Sequence, residues 1–282
     1  MSPDQYCQDK AASSGSSFYY SFLFLPAEKR RAIIALYAFC REVDDVVDEC
    51  SDSDIARHKL DWWRSEIDAC FAGNPSHPVG QALQPALQHY NLPAEYFHEI
   101  IDGMAMDLEQ TRYDSFSELA LYCHRVAGVV GLLSAEIFGY RQRETLKYAE
   151  SLGTAFQLTN IIRDVREDAE RGRIYLPLDE LFEHRINPHD LLKGQAGDGL
   201  QSLLRFQAQR AREYYQRALH LLRYFPWSLK LVFSRGDKES AMLRLRSTLR
   251  KELGLDGRTR IHFAEHHLCH AASACLTSPF EE

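Results

Sequence analysis

Two short acidic runs carry residue types that can do chemistry. In Arg41-Glu42-Val43-Asp44-Asp45-Val46-Val47-Asp48-Glu49, Asp44 and Asp48 stand four residues apart, so on a helix both carboxylates project from one face, a turn apart. In the run from Gln157 to Asp168, Asn160, Asp164 and Asp168 take that step twice. Hard oxygen donors at this spacing suit Mg²⁺, which keeps several waters and shares its shell between carboxylates and substrate phosphates. Two such faces set against each other would hold magnesium at a departing diphosphate, with Arg41, Arg163 and Arg173 donating to its oxygens. Departure of diphosphate from an allylic carbon leaves a carbocation, which an apolar, water-poor cavity protects. Either run alone also fits a solvated acidic face; two in one chain make metal-assisted diphosphate chemistry the more specific reading.

The elements that must carry these faces read as helices. Ile33, Ile34, Tyr37, Ala38, Arg41, Val43 and Val47 recur at three- and four-residue spacing over Arg30 to Asp48, just after Pro26, where proline suits a helix start. The same period predicts helices over about Arg57–Ala72, Val79–His89, Ala94–Glu109, Ser115–Phe138, Arg141–Arg171, Leu178–Phe182 and Leu200–Leu222. No alternating strand series or βα alternation intervenes, so the fold class is all-α, long helices around one core. Gly128 and Gly131 lie inside the 115–138 segment among Ala127, Ser134 and Ala135. Glycine in a helix costs roughly 0.5–1 kcal/mol relative to alanine. Either close helix packing or room for a bulky apolar ligand would offset that, and the sequence favours packing.

Composition narrows the function classes. Over 282 residues, hydrophobic types make up 45% and charged types 26%, the balance of a globular protein. Forty acidic against 33 basic side chains give a formal net charge of -7, so no overall positive field attracts nucleic acid or an anionic bilayer. The seven cysteines are scattered without a CxxC pair, arguing against a disulfide framework or a zinc site and for a reducing cytoplasm. The first ten residues carry Asp4 and Asp9 and no apolar stretch of the signal-peptide kind. The uncharged run Val126–Ala135 falls short of the roughly 20 residues of a spanning helix.

Longer stretches carry a family resemblance: Gly15-Ser16-Ser17-Phe18-Tyr19-Tyr20, the run Ala35 to Glu49, Tyr122 to Gly131, and Gln157 through Pro177. On these, residues 1–222 resemble the squalene/phytoene synthase family, and the runs Ser14–Leu25, Cys40–Ser51 and Ile100–Leu108 are most similar to the bacterial presqualene diphosphate synthases of hopanoid biosynthesis. The resemblance implies an isoprenoid synthase helical bundle around a central apolar cavity. It implies a farnesyltransferase that condenses two farnesyl diphosphates to presqualene diphosphate, using several Mg²⁺ ions and no NADPH for this first step. One farnesyl diphosphate ionises, the double bond of the second attacks the cation, and proton loss closes the cyclopropane. Residue by residue, Asp44, Asp48, Asn160, Asp164 and Asp168 match metal-binding positions. Ser17, Tyr37, Arg41, Gln157, Asn160, Arg163, Arg173 and Tyr175 match substrate-binding positions. Asp44, Asp48, Tyr37 and Arg41 are the expected catalytic set, with released diphosphate or Tyr37 as proton acceptor. A cytoplasmic protein touching the inner membrane surface is expected from the greasy substrate. Phytoene or dehydrosqualene synthesis, and a non-catalytic prenyl-diphosphate-binding protein, are the alternatives.

Past residue 222 the text changes. Residues 224–282, including Glu265-His266-His267-Leu268-Cys269-His270, resemble an N-terminal fragment of a nodulation-type carbamoyltransferase. The chain is therefore expected to divide into a synthase portion, 1–222, which lacks the family's last helices, and an atypical tail, 223–282. His266 and His270 alone form half a metal site at most.

Overall fold

The elements among the residues the structure describes are helical. Those residues are 1–221 except Phe24, Ser51 and Arg141, in a computed structural model. The expectations for 223–282, His266 and His270 included, lie outside the described residues, as does the side chain of Ser17. In chain order the α-helices are α1 (Pro3–Ser13), α2 (Ser17–Phe22), α3 (Ala27–Glu49), α4 (Ser53–Phe71), α5 (Pro78–His89) and α6 (Ala94–Glu109). There follow α7 (Phe116–Cys123), α8 (Val129–Phe138), α9 (Glu144–Glu170), α10 (Leu178–Glu183), α11 (Pro188–Leu192) and α12 (Gly199–Leu221). No strand occurs among the described residues.

Pro26 caps α3, whose buried face is Ala32, Ile33, Leu36, Phe39, Val43, Val46 and Val47. Hiding Leu36 and Phe39 completely contributes about 1.5–3 kcal/mol each, which sets the helix's rotation. The half-buried edge next to that face then holds Tyr37, Cys40, Arg41 and Asp44, and Asp48 reaches solvent. This core joins α3 to α1, α4, α5, α6 and α8. A second core gathers Tyr113, α7, the C-terminal half of α9, Ile174–Leu176 and α10–α12. Val126 packs against both.

The predicted helix over 115–138 is present but interrupted: His124–Gly128 forms a π-helical turn between α7 and α8, with the Val129 N–H bonding back to the His124 carbonyl. Such turns often mark functional sites. The segment Phe116–Phe138, 23 residues with a mean hydropathy of 1.3 in its most apolar window, is long and apolar enough to cross a membrane. In this fold it packs on α6 and α9. The glycines show how closely. A Cβ on Gly131 would lie 2.3 Å from the Ala149 carbonyl oxygen, and one on Gly153 would lie 2.3 Å from the Ala127 carbonyl oxygen. Close packing is thus what offsets these glycines. Gly131→Ala is expected to destabilise the protein by ~1–3 kcal/mol despite alanine's better helix propensity, because the clash is with backbone that cannot rotate away. An unchanged denaturant midpoint would refute this.

Periodicity does not predict helices α1, α2 and α11. In α1 the only buried residues are Cys7 and Ala11, too few to register as an apolar stripe. Its signals are local ones: Ser2 Oγ accepts from the Gln5 N–H at 3.2 Å, and Pro3 occupies the first turn.

Candidate active site

Helix α3 presents Tyr37, Arg41, Asp44 and Asp48 from one edge. Arg41 pairs with Asp44 and, at 2.7 Å, with Asp45 Oδ1. The Tyr37 hydroxyl donates to Ser14 Oγ at 3.1 Å, and Ser14 in turn donates to the Ala11 carbonyl at 2.7 Å. On α9, Asn160, Asp164 and Asp168 line one half-buried edge, and Gln157 stands half-buried a turn before Asn160 and Ile161. Arg163 donates to Asp164 through Nε at 2.7 Å and Nη2 at 2.6 Å.

What brings the two acidic edges together is the turn after α9. Gly172 adopts φ +79°, a left-handed conformation that glycine takes without strain, and the Arg173 N–H bonds back to the Asp168 carbonyl at 2.8 Å. The chain then runs back along 111–114, with Ile174 N–H to Thr111 O at 3.1 Å and Leu178 N–H to Tyr113 O at 2.9 Å. Arg173 Nη1 thereby reaches Asp48 Oδ1 at 3.3 Å, and Arg171 stands 3.8 Å from the same oxygen. Tyr175 is buried and commits its hydroxyl to Asp107 Oδ1 at 2.7 Å, while Tyr122 donates to Asp107 Oδ2 at 2.9 Å. A narrow crevice lies beside them, lined by Asp168, Arg173 and Tyr175 together with Ile161, Val165 and Leu176.

Asp107 on α6 was not among the expected site residues. An aspartate on the buried face marked by Ile100, Ile101 and Met104 is a readable anomaly, since an ionised carboxylate is rarely buried without partners. It joins the two acidic edges electrostatically. Burial lifts the Asp44 carboxyl to about 6; Arg41 opposes that, while Asp48 and Asp107 add to it. Burial likewise lifts Asp107 to about 6, with Tyr175, Arg173 and Tyr122 opposing. Burial lifts Asp168 to about 7, reinforced by Asp164 and Asp107 and opposed by Arg173.

Carboxylates that raise one another's pKa form the oxygen-donor set a hard divalent cation relieves. Among the described residues, no three His, Cys, Asp or Glu side chains converge closely enough to hold a metal by themselves. A hard divalent cation at these edges would need water or phosphate oxygens to complete its shell.

A family model described as squalene/phytoene synthase matches residues 11–234. The chain is 41% identical over 225 residues to the phytoene synthase of Arthrospira platensis, covering 75% of this chain and 73% of that one. It is also 41% identical over 219 residues to the chloroplastic phytoene synthase of Narcissus pseudonarcissus, covering 75% of this chain but 52% of the relative, about half its length. Among solved structures, squalene synthase HpnC from Alicyclobacillus acidocaldarius superposes with a TM-score of 0.73 at 28% identity, over 89% of this chain and 94% of that one. With paired acidic helices on an isoprenoid-synthase helical fold, and a family match over most of its length, the chain belongs to the squalene/phytoene synthase family of prenyltransferases.

Proposed function

We propose that this chain joins two farnesyl diphosphates head to head to give presqualene diphosphate, releasing one diphosphate, as a step toward squalene and hopanoids. The observation that carries the chemistry is the meeting of the two acidic edges: Arg173, just past α9, reaches Asp48 of α3 at 3.3 Å, and Asp107 of α6 adds to the lift of both Asp44 on α3 and Asp168 on α9. Asp44, Asp48, Asn160, Asp164 and Asp168 would hold magnesium, which when bound supplies neutralising charge to the leaving diphosphate. Arg41, Arg163 and Arg173 orient the diphosphate by donating to its oxygens, and Ser17 and Gln157 complete the substrate contacts. The allylic C–O bond breaks with its electron pair leaving on diphosphate. The double bond of the second molecule forms the new C–C bond, and a proton is lost as the cyclopropane closes. Because the Tyr37 hydroxyl is engaged as a donor to Ser14, we assign the departing proton to the released diphosphate, with Tyr37 bordering the cation. Tyr175 serves the site through Asp107. NADPH is not needed for this step. The chain works in the cytoplasm against the inner membrane surface, where the long hydrocarbon part of its amphiphilic product partitions.

A second reading, condensation of a longer prenyl diphosphate to phytoene, is favoured by one observation. The identity to the Arthrospira platensis phytoene synthase is 41%, against 28% to HpnC. Incubating the protein with Mg²⁺ and either farnesyl or geranylgeranyl diphosphate, without NADPH, separates the two. Presqualene diphosphate from the first is the expected result, and phytoene from the second would establish the alternative. Mg²⁺-dependent binding of a farnesyl diphosphate analogue with no diphosphate released from either substrate would make the chain a binding protein.

A further inference from the structure

Arg41 is held in place by a chain of charges that begins on α1. Tyr6 donates to Glu42 Oε1 at 2.7 Å, and Lys10 Nζ meets the same Glu42 oxygen at 3.1 Å. Lys10 also reaches Asp45 Oδ2 at 2.8 Å, while Asp45 Oδ1 accepts from Arg41 Nη2 at 2.7 Å; the other terminal nitrogen of Arg41 pairs with Asp44. The link is sheltered: the Lys10 side chain is 24% exposed and that of Asp45 19%. Burial disfavours the Lys10 charge, yet its two carboxylate partners raise its pKa on balance.

We infer that Lys10 is a positioning residue for Arg41: by occupying Asp45 Oδ2 it prevents Asp45 from taking the guanidinium with both oxygens. A carboxylate and an arginine pair most strongly in the two-bonded, fork-to-fork geometry. Asp45 stands four residues from Arg41 on the same helix. With Oδ2 released, it can pull the guanidinium away from Asp44. Arg41 would then be drawn off the edge where Asp44 and the substrate diphosphate meet. The same helix supplies Ser14, at its C-cap, to the Tyr37 hydroxyl, so α1 aligns two side chains of α3 at once. This rests on the proposed role of Arg41 in binding diphosphate.

The test uses inorganic diphosphate with Mg²⁺ as the probe, titrated calorimetrically into the full chain, alongside steady-state kinetics on farnesyl diphosphate. In Lys10→Met, the Kd for diphosphate and the KM are expected to rise about tenfold, the scale of effects seen when a supporting shell is removed. The kcat should change less. Lys10→Arg should stay near wild type. Lys10→Met/Asp45→Asn should recover most of the lost affinity, because the competing carboxylate is gone; a merely structural role for Lys10 would not produce that rescue. Melting curves of all variants verify that each is folded. Diphosphate affinity in Lys10→Met within twofold of wild type, or a double variant as weak as the single one, would overturn the inference and leave the functional reading standing. Wild-type protein that binds no diphosphate with Mg²⁺ would overturn the functional reading, and this inference with it.

Discussion

Replacing Asp44 by alanine will lower the rate of diphosphate release by about 10³-fold, equivalent to ~4 kcal/mol of transition-state stabilisation, and will not lower the melting temperature. The first effect follows from the place of Asp44. It is the carboxylate of α3 that both senses Asp107 and holds Arg41, so its loss removes an oxygen ligand and leaves a diphosphate-binding arginine to Asp45 alone. The second follows from the direction of its pKa. Burial and neighbouring carboxylates lift it to about 6 despite Arg41, so at neutral pH the folded protein bears a charge it accommodates poorly. Removing that charge relieves the cost of burying a carboxylate beside like charges. Asp54→Ala supplies the control: it removes an exposed carboxylate on α4 that pairs with Arg57, away from both acidic edges. Asp44→Ala turning over at the wild-type rate would end the case for the paired acidic edges as the reaction centre.

Chelation will abolish turnover, and the benefit of restoring Mg²⁺ will depend on pH in a determined direction. Asp44, Asp107 and Asp168 have pKa values of about 6, 6 and 7 in the folded protein, against an ordinary value of 3.8. Between those limits the folded state binds protons that the unfolded state has released. The stabilising contribution of these protons is therefore complete below about pH 4 and is lost as pH rises through 6 to 7. A metal competes with protons for the oxygens of Asp44 and Asp168, so the gain in melting temperature from Mg²⁺ with diphosphate should be small at pH 5 and large at pH 8. Equal gains at both values would show that Asp44 and Asp168 are not where the metal binds.

Helices α3 and α6 were legible because each buries a continuous stripe. Ala94–Glu109 occurs with the bounds that periodicity predicts, and α3 differs from its expected span by three residues at the start. Where burial is sparse, periodicity is silent. Helix α1 hides two side chains, so no apolar stripe marks the helix that braces Arg41 and Tyr37. A π-helical turn leaves the apolar content of 116–138 unchanged and adds only a local shift of register, which a pattern of apolar residues does not resolve.

The amino-acid sequence by itself determined an all-α chain, the two aspartate faces at four-residue spacing, and the glycine stop that ends α9 near Gly172. These are local properties, settled by side-chain period and backbone sterics within a few residues. Tertiary packing decided that Asp48 meets Arg173, 125 residues away, and that Asp107 is held by Tyr122 and Tyr175, 15 and 68 residues away. It also decided that Lys10 shares Asp45 with Arg41. No spacing rule reaches such partners. Their distances arise from the way two hydrophobic cores close on Val126, and their shifted pKa values from the low-dielectric surroundings those cores create.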